Sequence, residues 1–243
     1  VIPEATRPVC WHAEALGAHL GLPHLHVVYS GWAPARGARL RTGTFKELEA
    51  FAVLGRWPDR EERSMVLASA GNTARAFLEV ASRHGFPVVT VVPERALATL
   101  TTTRPRHPCT RVVAVADGDY ADAIAIAGAL SRTASLFPEG GARNVARRDA
   151  LGTTVLAAAE HLGRLPDVYV QAVGSGTGGI GAWEMAQRLT AAGLPGGPMR
   201  LLLIQDAAHC PLYRAWRADQ EERAPLPRIG PEPLHAPVLT NRT

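Results

Sequence analysis

Apolar residues recur along this chain in two alternating patterns. Short unbroken runs such as Met65-Val66-Leu67-Ala68 fit strands buried on both faces. Between them lie stretches whose apolar positions repeat at helical spacing. Thr73 to His84 carries Ala76, Phe77, Val80 and Ala81 on one face and stops at Gly85, which predicts a helix; Pro87 to Val92 is the next strand. The pattern then repeats. A strand is expected over 111–116, a helix over 120–130, and a long helix over 144–162 with Gly152 as its weak point. A strand over 167–173, a helix over 181–191 and a strand over 199–205 follow. Strands that alternate with helices in this way form mostly parallel sheets covered on both faces, and such sheets bind ligands at the carboxyl ends of their strands. Residues 219–237 break the pattern. They are rich in Pro, Glu and Arg and read as a surface excursion.

Composition narrows the picture. With 243 residues, 47% of them hydrophobic, the chain is long enough for one large domain or two smaller ones with real cores. No apolar run approaches a membrane span, and no basic-then-apolar leader is visible. The net charge of +4 is carried by scattered arginines without interleaved aromatics, so neither nucleic acid nor membrane is an expected partner. Cys10, Cys109 and Cys210 are odd in number and far apart. They suggest reduced thiols in a cytoplasmic protein, and no metal site. One of the 26 Lys and Arg residues is a lysine, Lys46. Arginine substitutes well for lysine in ion pairs and on solvated surfaces. It cannot replace an amine that must lose its proton and attack a carbonyl carbon.

Four segments carry candidate chemistry. In Thr42-Gly43-Thr44-Phe45-Lys46-Glu47, Thr44 is positioned to cap a helix and Glu47 to complete a capping box, which would put Lys46 in the first helical turn against the dipole. A snorkelling surface lysine beside Glu47 and Glu49 is the alternative. Ser69-Ala70-Gly71-Asn72-Thr73 joins a strand to a helix and offers small polar groups to a carboxylate or a ring oxygen; simple capping by Asn72 would explain it equally. Gly174-Ser175-Gly176-Thr177-Gly178-Gly179 suits close wrapping of the backbone around an anion. Its Gly174-x-Gly176-x-x-Gly179 spacing also fits a dinucleotide fingerprint, with Asp206 after the next strand, so a nucleotide-dependent oxidoreductase stays open. In Pro138-Glu139-Gly140-Gly141-Ala142-Arg143-Asn144-Val145-Ala146-Arg147-Arg148-Asp149, three arginines crowd a helix start. An anion would relieve their repulsion, unless the segment is a solvated start partnered by Asp149.

Taken together, TFKELEA, SAGNTARAF, PEGGARNVARRD, QAVGSGTGGIGAWE and the terminal VLTNRT resemble the fold-type II pyridoxal-phosphate enzymes. The likeness covers nearly the whole chain and is greatest to the threonine synthase branch, within it to the cysteate synthase group. It implies two open parallel-sheet α/β domains with pyridoxal 5'-phosphate in the cleft between them. Residues 60–135 would form the small, mobile domain. Residues 1–59 and 136–243 would form the large one, expected to be incomplete at both ends, with the residue facing the pyridine nitrogen outside this chain. Lys46 would bond the cofactor covalently, Asn72 would hydrogen-bond the ring oxygen, and the 174–179 loop (Gly174, Ser175, Gly176, Thr177, Gly178, Gly179) would hold the phosphate. Ser69 and Thr73 would contact the substrate carboxylate, and Arg143, Arg147 and Arg148 would bind anionic substrate. The implied reaction is β-replacement on O-phospho-L-serine. Phosphate leaves to give an aminoacrylate, and sulfite adds, in a homodimeric cytoplasmic enzyme acting on a small anionic amino acid. Another nucleophile, as in a threonine synthase-like enzyme, and a non-catalytic relative that only binds cofactor or amino acid are the other readings.

Overall fold

A computed structural model describes residues 2, 6–208 and 210–217. The chain begins with strand β1 (Val9–His12), helix α1 (Glu14–Leu20) and strand β2 (His26–Tyr29), and β1 and β2 pair antiparallel. A second small ribbon pairs β3 (Trp32–Ala33) with β4 (Ala38–Arg39), and helix α2 (Lys46–Leu54) follows.

The four-stranded unit comes next. Its elements are β5 (Ser64–Ala68), α3 (Asn72–His84), β6 (Val88–Pro93), β7 (Arg111–Val115), α4 (Tyr120–Leu130) and β8 (Leu136–Pro138). The sheet is parallel throughout, in the order β7-β6-β5-β8. Side chains alternate across it as a two-residue repeat requires. Met65 and Leu67 enter a core with Phe77, Val80 and Ala81 of α3 and with Leu48, Phe51 and Leu54 of α2. Val66, Val89 and Val91 face Ala123 and Ala127 of α4 on the other side. Burial on both faces is why these strands read as unbroken apolar runs. Helix α4 starts where the sequence predicts because Asp119 and Asp122 form a reciprocal capping box. Strand β8 alters the expected division. Residues 136–138 pair with Ser64–Val66, so this sheet runs past the boundary drawn at 135.

The remaining elements are α5 (Val145–Leu162), β9 (Val168–Ala172), α6 (Thr177–Ala191), β10 (Arg200–Ile204) and α7 (Pro211–Arg217). β9 and β10 pair in parallel, with α6 as the crossover. Tyr169 and Leu201 pack against α5 and α6, while Val168, Val170, Leu202 and Ile204 are exposed on the opposite face. Gly152 is the point where α5 crosses α6, not a weak point in the helix. A Cβ there would lie 2.9 Å from the Gly181 carbonyl oxygen, and one on Gly181 would lie 2.5 Å from the Arg148 carbonyl oxygen. Asp149 of α5 then ties three helices together, accepting from Arg56 Nη1 just past α2 at 2.7 Å and from Arg188 Nη1 of α6 at 2.6 Å. Helix α6 begins at Thr177, four residues before the expected start. Residues 219–237, read as a surface excursion, lie outside the described residues, as does VLTNRT. Among the described residues no helix is long and apolar enough to cross a membrane, and no group of His, Cys, Asp and Glu is placed to hold a metal.

Candidate active site

Lys46 is the first residue of α2, as its sequence neighbours predict, but the capping box does not form. Phe45 takes the N-cap position in a helical conformation, and Glu47 turns inward. Its fully buried carboxylate accepts from the Thr42 N–H at 2.6 Å and the Thr42 hydroxyl at 2.8 Å. Burial pushes Glu47 up, while the Thr42 donors pull it down. Thr44 offers Oγ1 to the Lys46 N–H at 3.3 Å.

The Lys46 amine points at a different carboxylate. Its Nζ lies 2.5 Å from Oε1 of Glu49, whose side chain is wholly buried, and 4.5 Å from the centre of the Phe45 ring. The surface-lysine reading placed Lys46 beside Glu47 and Glu49; the structure buries both carboxylates. The other Glu49 oxygen, Oε2, is 3.0 Å from Nε of Arg147, and the same Nε is 3.1 Å from Oε1 of Glu139. These are ion-pair distances. The angles make no hydrogen bond, so Arg147 acts here as a charge set between two carboxylates. Glu139 follows β8 and also accepts from the Gly141 N–H at 2.9 Å. Burial raises Glu139 above the ordinary carboxylate range, against the pull of Arg147. Burial works against the Arg147 charge, but Glu49, Glu139 and Tyr120 outweigh it and hold the arginine above its usual value. Burial likewise raises the Tyr120 phenol. A cavity of about 300 Å³ opens beside this group, between α4 and the ends of β5 and β8, with Tyr120, Glu139 and Arg147 in its wall.

The arginine cluster therefore differs from its expected form. The expected neighbour Asp149 is taken by Arg56 and Arg188. Arg147 is taken by Glu49 and Glu139. Arg148 places Nε 3.0 Å from both oxygens of Glu184 and donates from Nη1 to the Ala142 carbonyl at 2.8 Å. Arg143 is exposed and has no carboxylate partner among the described residues. The helix start is capped by Asn144, whose Oδ1 accepts from the Ala146 N–H at 3.0 Å. Sequence reasoning missed Glu49 and Glu139 as members of the site. The one available signal was the position of Glu49, three residues after the sole lysine on a helix.

The 69–73 turn lies at the carboxyl end of β5. Ser69 is buried, and its Oγ accepts from the Gly71 N–H at 3.1 Å. Gly71, not Asn72, is the N-cap of α3. Asn72 is exposed and makes no hydrogen bond among the described residues, so its amide is free to meet a ligand. Thr73 stands beside it in the first turn.

The glycine loop lies at the carboxyl end of β9 and leads into α6. Its glycines divide by role. Gly176 has φ +82°, the left-handed region that favours glycine. Gly179 leaves room for Leu203, since a Cβ there would come within 2.7 Å of that side chain, and Gly178 likewise clears Gln171. The N–H groups of Thr177, Gly178 and Gly179 open α6 and have no partner within the helix, which suits an anion. The Ser175 and Thr177 hydroxyls stand 2.8 Å apart beside them. A lysine amine at the start of α2, an exposed amide at the end of β5 and unpartnered N–H groups at the start of α6 are the group types that a small phosphorylated aldehyde such as pyridoxal phosphate would engage.

Comparison with known proteins agrees with that reading. The family model for pyridoxal-phosphate dependent enzymes matches residues 12–243, and the chain belongs to this family. Within it, the chain is 48% identical over 244 residues to the cysteate synthase of Methanoregula boonei and 47% identical over 253 residues to that of Methanosphaerula palustris. These alignments cover 97% and 100% of this chain but 57% and 58% of the relatives, so the chain spans less than two thirds of their length. Among solved structures, maize serine racemase superposes with a TM-score of 0.68 at 14% identity, covering 92% of this chain and 63% of the racemase. Diaminopropionate ammonia lyase of Escherichia coli gives 0.66 at 14% identity, covering 100% of this chain and 67% of the lyase. At that identity they show the fold, which is the fold-type II architecture expected.

Proposed function

We propose that this chain is the lysine-bearing part of a cysteate synthase-type enzyme. In that reading the whole protein takes O-phospho-L-serine, releases phosphate and adds sulfite. The observation that carries the proposal is Lys46, the only side-chain amine in the sequence, set at a helix start with its Nζ against the buried carboxylate of Glu49. Pyridoxal 5'-phosphate, when bound, supplies the electron sink that such a replacement requires. Lys46 would hold the cofactor covalently, and its amine would be the group that accepts the substrate's α proton at Nζ. The N–H groups that open α6, with Ser175 and Thr177, hold the phosphate, joined by Gly174 and Gly176 of the same loop. Asn72 would donate from its side-chain amide to the ring oxygen. Ser69 and Thr73 offer hydroxyls to the substrate carboxylate. Arg143, exposed beside the Gly140-Gly141 turn, is the one arginine of its cluster still available to an anion. A homodimer in the cytoplasm completes the reading.

The test is phosphate release from O-phosphoserine by the whole protein, with product analysis across sulfite, sulfide and amine nucleophiles. Cysteate as the main product supports the proposal. Turnover with sulfide but not sulfite, or of O-phosphohomoserine in place of O-phosphoserine, would overturn it.

A further inference from the structure

Glu49 stands between two cations from different helices, Lys46 of α2 at 2.5 Å and Arg147 of α5 at 3.0 Å. The two partners differ in one property. Lys46 must give up its proton to act as a nucleophile, whereas the Arg147 guanidinium does not give up its proton in a protein. A buried carboxylate held by the lysine alone would become an uncompensated buried charge whenever Lys46 turned neutral. That penalty would keep the lysine as an ammonium. We propose that Arg147 is a positioning residue for the Lys46 amine: it is the permanent partner of Glu49, and it lets Lys46 use that carboxylate as a resting place and leave it.

The surrounding groups are consistent with this division. From α2 the carboxylate meets Lys46; the neighbouring Glu47 is committed to Thr42. From the β8 turn comes Glu139, on the far side of the same Arg147 Nε. From α4 comes the half-buried Tyr120 phenol. With Lys46 charged, two cations balance two carboxylates. With Lys46 neutral, Arg147 faces both carboxylates alone, and Glu139, which burial already raises, is the place where a proton can settle. Lys46 remains a quarter exposed, so water reaches its amine.

The inference rests on the reading that Lys46 carries the cofactor, and the experiment separates the two. In cofactor-free protein, the acetylation rate of Lys46 by acetic anhydride across pH, read by peptide mass spectrometry, reports its free-amine fraction. Glu49→Gln should speed acetylation near pH 8 by about ten-fold, since the amine is then released from its charge-assisted contact with the carboxylate 2.5 Å away. Arg147→Met should slow it by a similar factor, because Glu49 is then left to the lysine and a repelling charge is gone. Arg147→Lys should recover most of the wild-type rate. If Arg147→Met folds poorly, the double variant Glu139→Gln/Arg147→Met removes one carboxylate with the arginine and should show the same slowing. An Arg147→Met or double-variant rate equal to or above wild type would overturn the inference. So would a Glu49→Gln rate equal to wild type. Borohydride fixation of pyridoxal phosphate on the wild-type protein is the separate control. Label on Lys46 with unmoved acetylation rates sinks only the role of Arg147. Label absent from Lys46 sinks the reading beneath it.

Discussion

Arg147→Ala distinguishes a structural charge from a free receptor for anionic substrate. From the sequence alone, its loss should raise the KM for an anion about ten-fold and leave folding nearly untouched. The structure reverses that expectation. The Arg147 side chain is 14% exposed, and its two partners, Glu49 and Glu139, are 0% and 4% exposed. Removing one member of a buried ion pair costs about 3–5 kcal/mol, because the remaining charge is left uncompensated. Lys46 still faces Glu49, and Glu139 can take up a proton, so the lower end of the range, about 3 kcal/mol, is the expected loss. At about 2–4 °C per kcal/mol for a chain of this size, Tm should fall by about 6–12 °C at pH 7. The deficit should be smaller at pH 5 than at pH 7, because burial raises Glu139 and lower pH moves it toward the neutral form that needs no counter-charge. Thermal melting followed by circular dichroism at both pH values reads this directly. A Tm within about 1 °C of wild type at pH 7, together with a raised KM for O-phosphoserine or sulfite, would refute the structural reading and restore the free receptor.

Further outcomes follow from the same geometry. Lys46→Arg should abolish covalent attachment of pyridoxal phosphate, because the guanidinium stays protonated; a borohydride-fixed label elsewhere in the chain would reassign the site. Gly176→Val should weaken cofactor binding and lower stability by about 1–2 kcal/mol, since φ is +82° and the new Cβ would meet Leu212 Cδ1 at 3.1 Å; wild-type cofactor affinity by fluorescence titration would show that the loop does not hold the phosphate. Glu139 sits above the ordinary 4.5 of a glutamate, so the folded state binds its proton more tightly than the unfolded chain. The stability this contributes is present at low pH and is lost as pH rises from about 4.5 through the raised value. Glu139→Gln should flatten the denaturation profile over that window, and an unchanged pH slope would show that the group does not titrate there.

Local chemistry in the sequence located most of the fold, and long-range pairing accounts for what it missed. Helix α4 was legible to the residue because Asp119 and Asp122 act within four positions of each other. The strands of the four-stranded sheet were legible because burial on both faces leaves an unbroken apolar run. Strand β8 was not, since Leu136-Phe137-Pro138 is too short to show a period, and only its pairing with β5 identifies it. The start of α6 was misplaced because a run of glycines reads as loop, whereas Gly178 and Gly179 are helical residues kept small by Gln171 and Leu203. At the site, Lys46 stood out by its uniqueness. The capping box failed for a reason no local window contains: Glu47 is buried against the core and finds Thr42. Arg147 and Glu49 are far apart in sequence, and nothing in either segment signals that they meet.

The crossing of α5 and α6 at Gly152 and Gly181 sets the span between the two halves of the site. Helix α5 begins with the arginine that holds the counter-ion of Lys46. Helix α6 begins with the loop proposed to hold the phosphate. Both starts extend from one pair of rods pressed backbone to backbone, and Asp149 bolts α2 to the same pair. The assembly works like a fixed-jaw caliper whose opening is gauged at the crossing. A single methyl group at position 152 or 181 would reset that gauge and move the loop proposed to hold the phosphate relative to the Lys46 amine while touching neither. Reach between the Lys46 amine and that loop is thus adjustable from positions that lie in neither segment.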